Sequence, residues 1–138
     1  TNLGRWASLE SFATLLSYKD EIRAVLEFCL AQDPLYWYQA ADRYFGVFYA
    51  RAPGFAGGDM KKSASHYNIA MEANPDYWGN QVSMAEEWAI KEDNRALYEE
   101  LLNYVLAGDP NVIPYIKPEN LCEQRKAQIL MDDVEEYF

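Results

Sequence analysis

His66 is the one side chain in the sequence whose ordinary titration lies near neutrality, and it sits at the centre of KKSASHYNIAME. It offers a general base or a metal ligand, but no serine or cysteine nucleophile stands around it in a strand-turn-helix setting. Acid–base chemistry would therefore require a neighbouring carboxylate as its partner. The carboxylates come in adjacent pairs, Glu86-Glu87, Glu99-Glu100, Asp132-Asp133 and Glu135-Glu136. Adjacent residues point to different faces of a helix, so these pairs read as solvated surface. Zinc and calcium spacings are missing, and the loop APGFAGGD, Ala52 to Asp59, carries no lysine or hydroxyl placed to cradle phosphate. The expectation is a protein that is not an enzyme, with no catalytic residue, metal ligand or cofactor, and with His66 in a structural role.

The second chemical resource is aromatic. LYWYQAADRYFGVFY, Leu35 to Tyr49, holds seven aromatic side chains in fifteen positions. At about 100° per residue, Trp37, Ala40, Ala41, Tyr44, Val47 and Phe48 share one face, and Tyr38, Phe45 and Tyr49 form an adjoining flank. Gln39, Asp42, Arg43 and Gly46 are left as the polar sector. An arc this wide belongs to a helix covered on two sides, so most of the aromatics read as core. Buried phenols need hydrogen-bond partners, which makes a partly wet cavity beside the flank the second reading. The next inner helix places Trp78, Val82, Ala85 and Ala89 on one face, with Gln81, Met84 and Trp88 on another. The candidate ligand-binding residues are Trp37, Tyr38, Tyr49, Met84 and Trp88, and the candidate partner-binding residues are Gln39, Arg43 and Gln81.

The elements that must position these residues are helical, because nearly every segment repeats its apolar residues with the 3.6-residue period. The expected helices are 6–16, 18–31, 35–51, 60–73, 78–91, 94–107 and 118–137. Asp33-Pro34, Asn74-Pro75 and Asp109-Pro110 each end one element, and Asp59 is an N-cap for the helix that follows it. Those prolines, 41 and 35 residues apart, close the aligned stretches CLAQDP, AMEANP and VLAGDP. The spacing is close to the roughly 34 residues of a tetratricopeptide helix pair. Five residues before each proline stand Cys29, Ala70 and Val105, and eight before stand Leu26, Tyr67 and Leu102, the small and large positions that a second repeat helix packs. Phe45-Gly46-x-x-Tyr49 fits a first repeat helix in which glycine admits a close neighbour. The fold class read from the sequence is all-α, a single domain over 1–138 of tetratricopeptide-like hairpins forming an α-solenoid of six or seven helices.

Bulk properties remove other partners. Twenty-two acidic against twelve basic residues give a formal charge of −10, so the cationic stripe of a nucleic-acid binder is missing. The same charge repels an anionic bilayer, and a membrane would be reached through an anchor outside this sequence. Cys29 and Cys122 read as core thiols rather than as a disulfide.

Three stretches in order, GVFYARAPGFAGGDMKKSASHYNIAME, AEEWAIKEDNRALYEELLNYVLAGDP and ENLCEQRKAQILMDDVEEYF, resemble the T component of TRAP transporters, the TatT family. The shared pattern has a glycine-tyrosine helix and a Gly-Gly-Asp loop opening a helix with a His-aromatic pair, here His66-Tyr67. An acidic helix follows from Asp93 to Leu102, with Asn94 inserted before Arg95. The last helix carries Gln124, Arg125, Ala127, Glu135, Glu136 and Phe138. The resemblance, which runs from about Glu21 onward, implies a lipid-anchored periplasmic protein that associates with the solute-binding receptor of a TRAP transporter. It also implies an apolar ligand held in an internal cavity. Family members are generally longer, so the chain reads as the C-terminal part of such a protein, capable of homo-oligomerising. The leading expectation is a subunit that docks the receptor and holds a small organic or hydrophobic ligand. The alternatives are a general tetratricopeptide scaffold binding a peptide through Gln39, Arg43 and Gln81, and an enzyme using His66 with a carboxylate.

Overall fold

The computed structural model describes residues 10–138, and every regular element among them is helical. Helix α1 spans Phe12–Gln32 and α2 spans Tyr36–Arg51. A 3-10 turn at Gly54–Ala56 leads to α3, Met60–Ala73. Helix α4, Gly79–Met84, continues as a π turn over Ala85–Ala89. Then come α5, Arg95–Ala107, a 3-10 turn at Pro114–Ile116, α6, Lys117–Asp132, and the short α7, Val134–Tyr137.

Side chains set most of these boundaries. The Ser11 hydroxyl accepts from the amide of Thr14 to start α1, and the Asp59 carboxylate accepts from the amides of Lys61 and Lys62, both at 3.0 Å, to start α3. Asn94 caps α5 through the amide of Leu97. The break expected at Ser17 does not occur: its hydroxyl bonds back to the carbonyl of Thr14 at 2.8 Å, which satisfies it inside a continuous α1. Of the expected helix 6–16, residues 6–9 lie outside the described residues. Helix α2 opens irregularly, with Trp37, Tyr38 and Gln39 at φ of +45°, +57° and +56°. Left-handed backbone at non-glycine residues costs roughly 1–2 kcal/mol each, so neighbouring contacts must hold this turn.

Each helix from α1 to α6 packs on the next in sequence, and α2 also meets α4, which meets α6. The main core gathers Tyr67, Trp78, Val82, Tyr98, Leu102 and Val105 around α4 and α5, and a smaller one joins Ile22 and Leu26 to Phe45 and Tyr49. Five of the six proline-aligned repeat positions are buried, namely Leu26, Tyr67, Leu102, Ala70 and Val105, while Cys29 is half-buried. Cys122 is exposed and both thiols are free, which corrects the reading of two core cysteines. Cys122 lies on the outer side of α6, whose inward positions are taken by Ala127 and Leu130.

Helices α2 and α3 approach closely at Gly46. A Cβ added at Gly46 would come within 2.7 Å of the Tyr67 ring. Tyr67 cannot retreat, since it is fully buried and its hydroxyl is 2.9 Å from Ser83 Oγ. Gly46→Ala is therefore expected to destabilise by about 1–3 kcal/mol, as overpacking does. Urea denaturation should show a lower midpoint with an unchanged slope.

Candidate functional site

Helix α2 is a wall with two working faces. Asp42, Phe45, Gly46 and Tyr49, spaced at helical intervals, turn toward α3 and are buried. There His66 Nδ1 lies 2.7 Å from Asp42 Oδ1, and the imidazole stacks on Phe45 and Tyr49 with ring centroids 5.0 and 5.6 Å away. Asp42 is therefore not part of an exposed polar sector: a partner twenty-four residues away permits its burial, as does Asn74 Nδ2 donating to Gln39 Oε1 for Gln39. His66 is thus held between α2 and α3 by that carboxylate and by the two rings.

The other face of α2 opens on a cleft of about 1130 Å³ between α1, α2, α4 and α6. Its apolar side is built from Leu16, Ile22 and Leu26 of α1 with Trp37, Ala40, Tyr44, Val47 and Phe48 of α2. Its polar side carries Glu86 and Glu87 on the π turn, Glu119, Glu123 and Lys126 on α6, and Arg43 and Arg51 at the edge of α2. Arg51 grips Glu87 with two hydrogen bonds, Nε to Oε2 at 2.8 Å and Nη2 to Oε1. Lys126 Nζ donates to Glu86 Oε2 at 2.5 Å. The adjacent pair Glu86-Glu87 thus faces one cleft instead of diverging into solvent. The π turn is wider than an α turn, so neighbouring side chains diverge less.

Arg43 organises the floor. Its Nη1 donates to Asn80 Oδ1 at 2.9 Å and to the Tyr38 carbonyl at 3.4 Å, and its guanidinium lies 4.5 Å from the Tyr77 ring centroid. Tyr38 stacks on Tyr77 at 4.9 Å, which helps to hold the left-handed turn. The Tyr77 hydroxyl donates to Glu119 Oε1 at 2.8 Å, and burial pushes its phenol up to about 12, so it remains a neutral donor. Burial also raises the Glu123 carboxyl above the ordinary range, against the pull of Lys126 and Arg43.

The residues singled out from the sequence are not brought to one place. Trp37 and Arg43 line the cleft, and Tyr38 supports it from behind through Tyr77. Tyr49 and Met84 are buried in the two cores. Trp88 donates to the Met60 carbonyl at 2.8 Å and lines a separate shallow groove of about 510 Å³ against α3. Gln39 and Gln81 are buried, and Gln81 donates to the Pro75 carbonyl while its Oε1 has no partner. Sequence reading found only Arg43 of the charged side. The available signal was on α6, where Glu119, Glu123 and Lys126 follow at intervals of four and three and so share a face. Among the described residues no group of three or more His, Cys, Asp or Glu is placed to hold a metal ion.

Comparison with known proteins matches residues 6–138 to the model of the TRAP transporter T-component family. An uncharacterized protein of Treponema pallidum (strain Nichols) is 30% identical over 95 residues, covering 66% of this chain. That match spans only 28% of the relative's own length.

The Arg51–Glu87 pair ties α2 to α4 across the cleft, and the Glu87 side chain is only 10% exposed. Arg51→Met should leave that carboxylate uncompensated and lower stability by about 1–2 kcal/mol, between the values for exposed and buried pairs. Thermal unfolding of the variant measures it.

Proposed function

Because the chain belongs to the TRAP transporter T-component family, we propose that it is a non-enzymatic helical-repeat subunit of a TRAP-type transporter system, one that holds a small organic ligand in the α1–α2–α4–α6 cleft and docks the periplasmic solute-binding receptor. The family supplies the association with a transporter. The cleft carries the rest of the reading: it has the size of a small-molecule site, a continuous apolar side, and a few polar groups held in place by partners. The stepwise packing of each helix on the next supports a solenoid of hairpins, and the burial of the proline-aligned positions supports the repeat register. No described helix is long and apolar enough to cross a membrane.

A docking role has its own supporting feature. Tyr36, Trp37 and Tyr115 form an exposed aromatic rim, with Tyr115 79% exposed and its ring 6.3 Å from that of Trp37. Aromatic side chains of this kind anchor protein interfaces. The same rim would serve the second reading, a scaffold for a peptide. Of the three polar residues first assigned to that role, only Arg43 lines the open cleft.

Native mass spectrometry of the full-length protein, gently extracted from its host, is expected to show a complex with a solute-binding receptor and a small organic adduct. Ala40→Trp, which fills the cleft with an indole, should remove the adduct while leaving the melting temperature within a few degrees. A protein free of both, or one carrying peptides, would contradict the proposal.

A further inference from the structure

Four carboxylates line the cleft, and three are engaged: Glu86 with Lys126, Glu87 with Arg51 and Glu119 with the Tyr77 hydroxyl. Glu123 is half-buried and has no hydrogen-bond donor among the described residues. Lys126, three residues along α6, is committed to Glu86, and Arg43 to Asn80 and the Tyr77 ring. We infer that Glu123 selects the ligand of this cleft, admitting an uncharged apolar molecule with a hydrogen-bond acceptor at its polar end and taking up a proton as it does so. The inference rests on the ligand-holding role proposed above.

The balance of charge in the cleft argues for an uncharged guest. Lys19, Arg43, Arg51 and Lys126 stand against Glu86, Glu87, Glu119 and Glu123, so neither a free cation nor a free anion meets a one-signed lining. Glu123 feels Lys126 and Glu119 on its own helix, Arg43 on α2 and Glu86 on α4, and the two cations and two carboxylates oppose each other. Burial outweighs them and holds the carboxyl above its ordinary range. An apolar guest against Leu26, Ala40 and Tyr44 removes the remaining water and favours the acid further. Protonated, Glu123 donates a hydrogen bond, and the unused Nε and Nη2 of Arg43 are donors as well, so the polar end they suit is an acceptor such as a carbonyl, ether or hydroxyl oxygen.

The sign follows from linkage. A carboxyl whose proton is held more tightly in the occupied cleft than in the empty one makes affinity rise as pH falls. The test is a fluorescence titration with the uncharged fluorophore Prodan, whose ketone oxygen is a hydrogen-bond acceptor, between about pH 8 and about pH 5. Binding should tighten by about three- to tenfold toward the acid end. Glu123→Gln, a permanently neutral isostere, should bind at the higher pH as tightly as the wild type does at the lower, with a flat profile. A flat wild-type profile, or a slope that survives in Glu123→Gln, would overturn the role of Glu123 and leave the ligand cleft standing. Failure of the probe to bind at any pH, or binding unaffected by Ala40→Trp, would overturn the cleft itself and the inference with it.

Discussion

The approach of α2 to α3 at Gly46 is the constraint on which the rest of the molecule depends. With hydrogen in place of a side chain, the Tyr67 ring lies against the backbone of α2 while its hydroxyl reaches Ser83 on α4. Three helices are thereby fixed in rotation and depth at one point. Asp42, Phe45 and Tyr49 must then face α3, where they enclose His66, and the opposite row from Ala40 to Arg51 must face away from it. Among the described residues that second row borders an open cleft.

The polar side of the cleft is built by the same economy. The π turn carries Glu86 and Glu87 to the cleft side by side, and each draws a cation from a different helix, Arg51 from α2 and Lys126 from α6. Those two pairs tie α2 and α6 to the π turn along the polar side of the cleft. Arg43, pinned by a fully buried Asn80 and a tyrosine ring, closes the floor without spending its remaining donors.

Much of the helical frame was legible in the sequence, because caps act locally. Asp59 marks a helix start through bonds within three residues of itself, Asn74-Pro75 marks a helix end through its proline, and the structure bounds α3 there. Gly46 was legible too, as the glycine of Phe45-Gly46-x-x-Tyr49 that admits a close neighbour, although the projection left it in the polar sector. The faces of α2 were not. The helical projection put Asp42 outside and Tyr44 with Phe48 inside, whereas Asp42 is buried by a histidine contributed from another helix and Tyr44 and Phe48 border the cleft. No periodicity within fifteen residues encodes that partner. The same holds for Glu86 and Glu87, whose shared direction arises from a change of helical pitch that α-helical spacing does not anticipate. The continuity of α1 through Ser17 depended on a side-chain bond to Thr14 that satisfied a residue otherwise read as a break.

The central claim is that the face of α2 turned away from α3 receives a ligand. It is tested most directly by methyl NMR of the chain titrated with an uncharged apolar fluorophore. The account predicts saturable shifts confined to Leu16, Ile22, Leu26 and Val47, which border the cleft, with Ile69 in the shallow groove of α3 unmoved. Shifts centred on Ile69, or spread evenly over the surface without saturation, would contradict it.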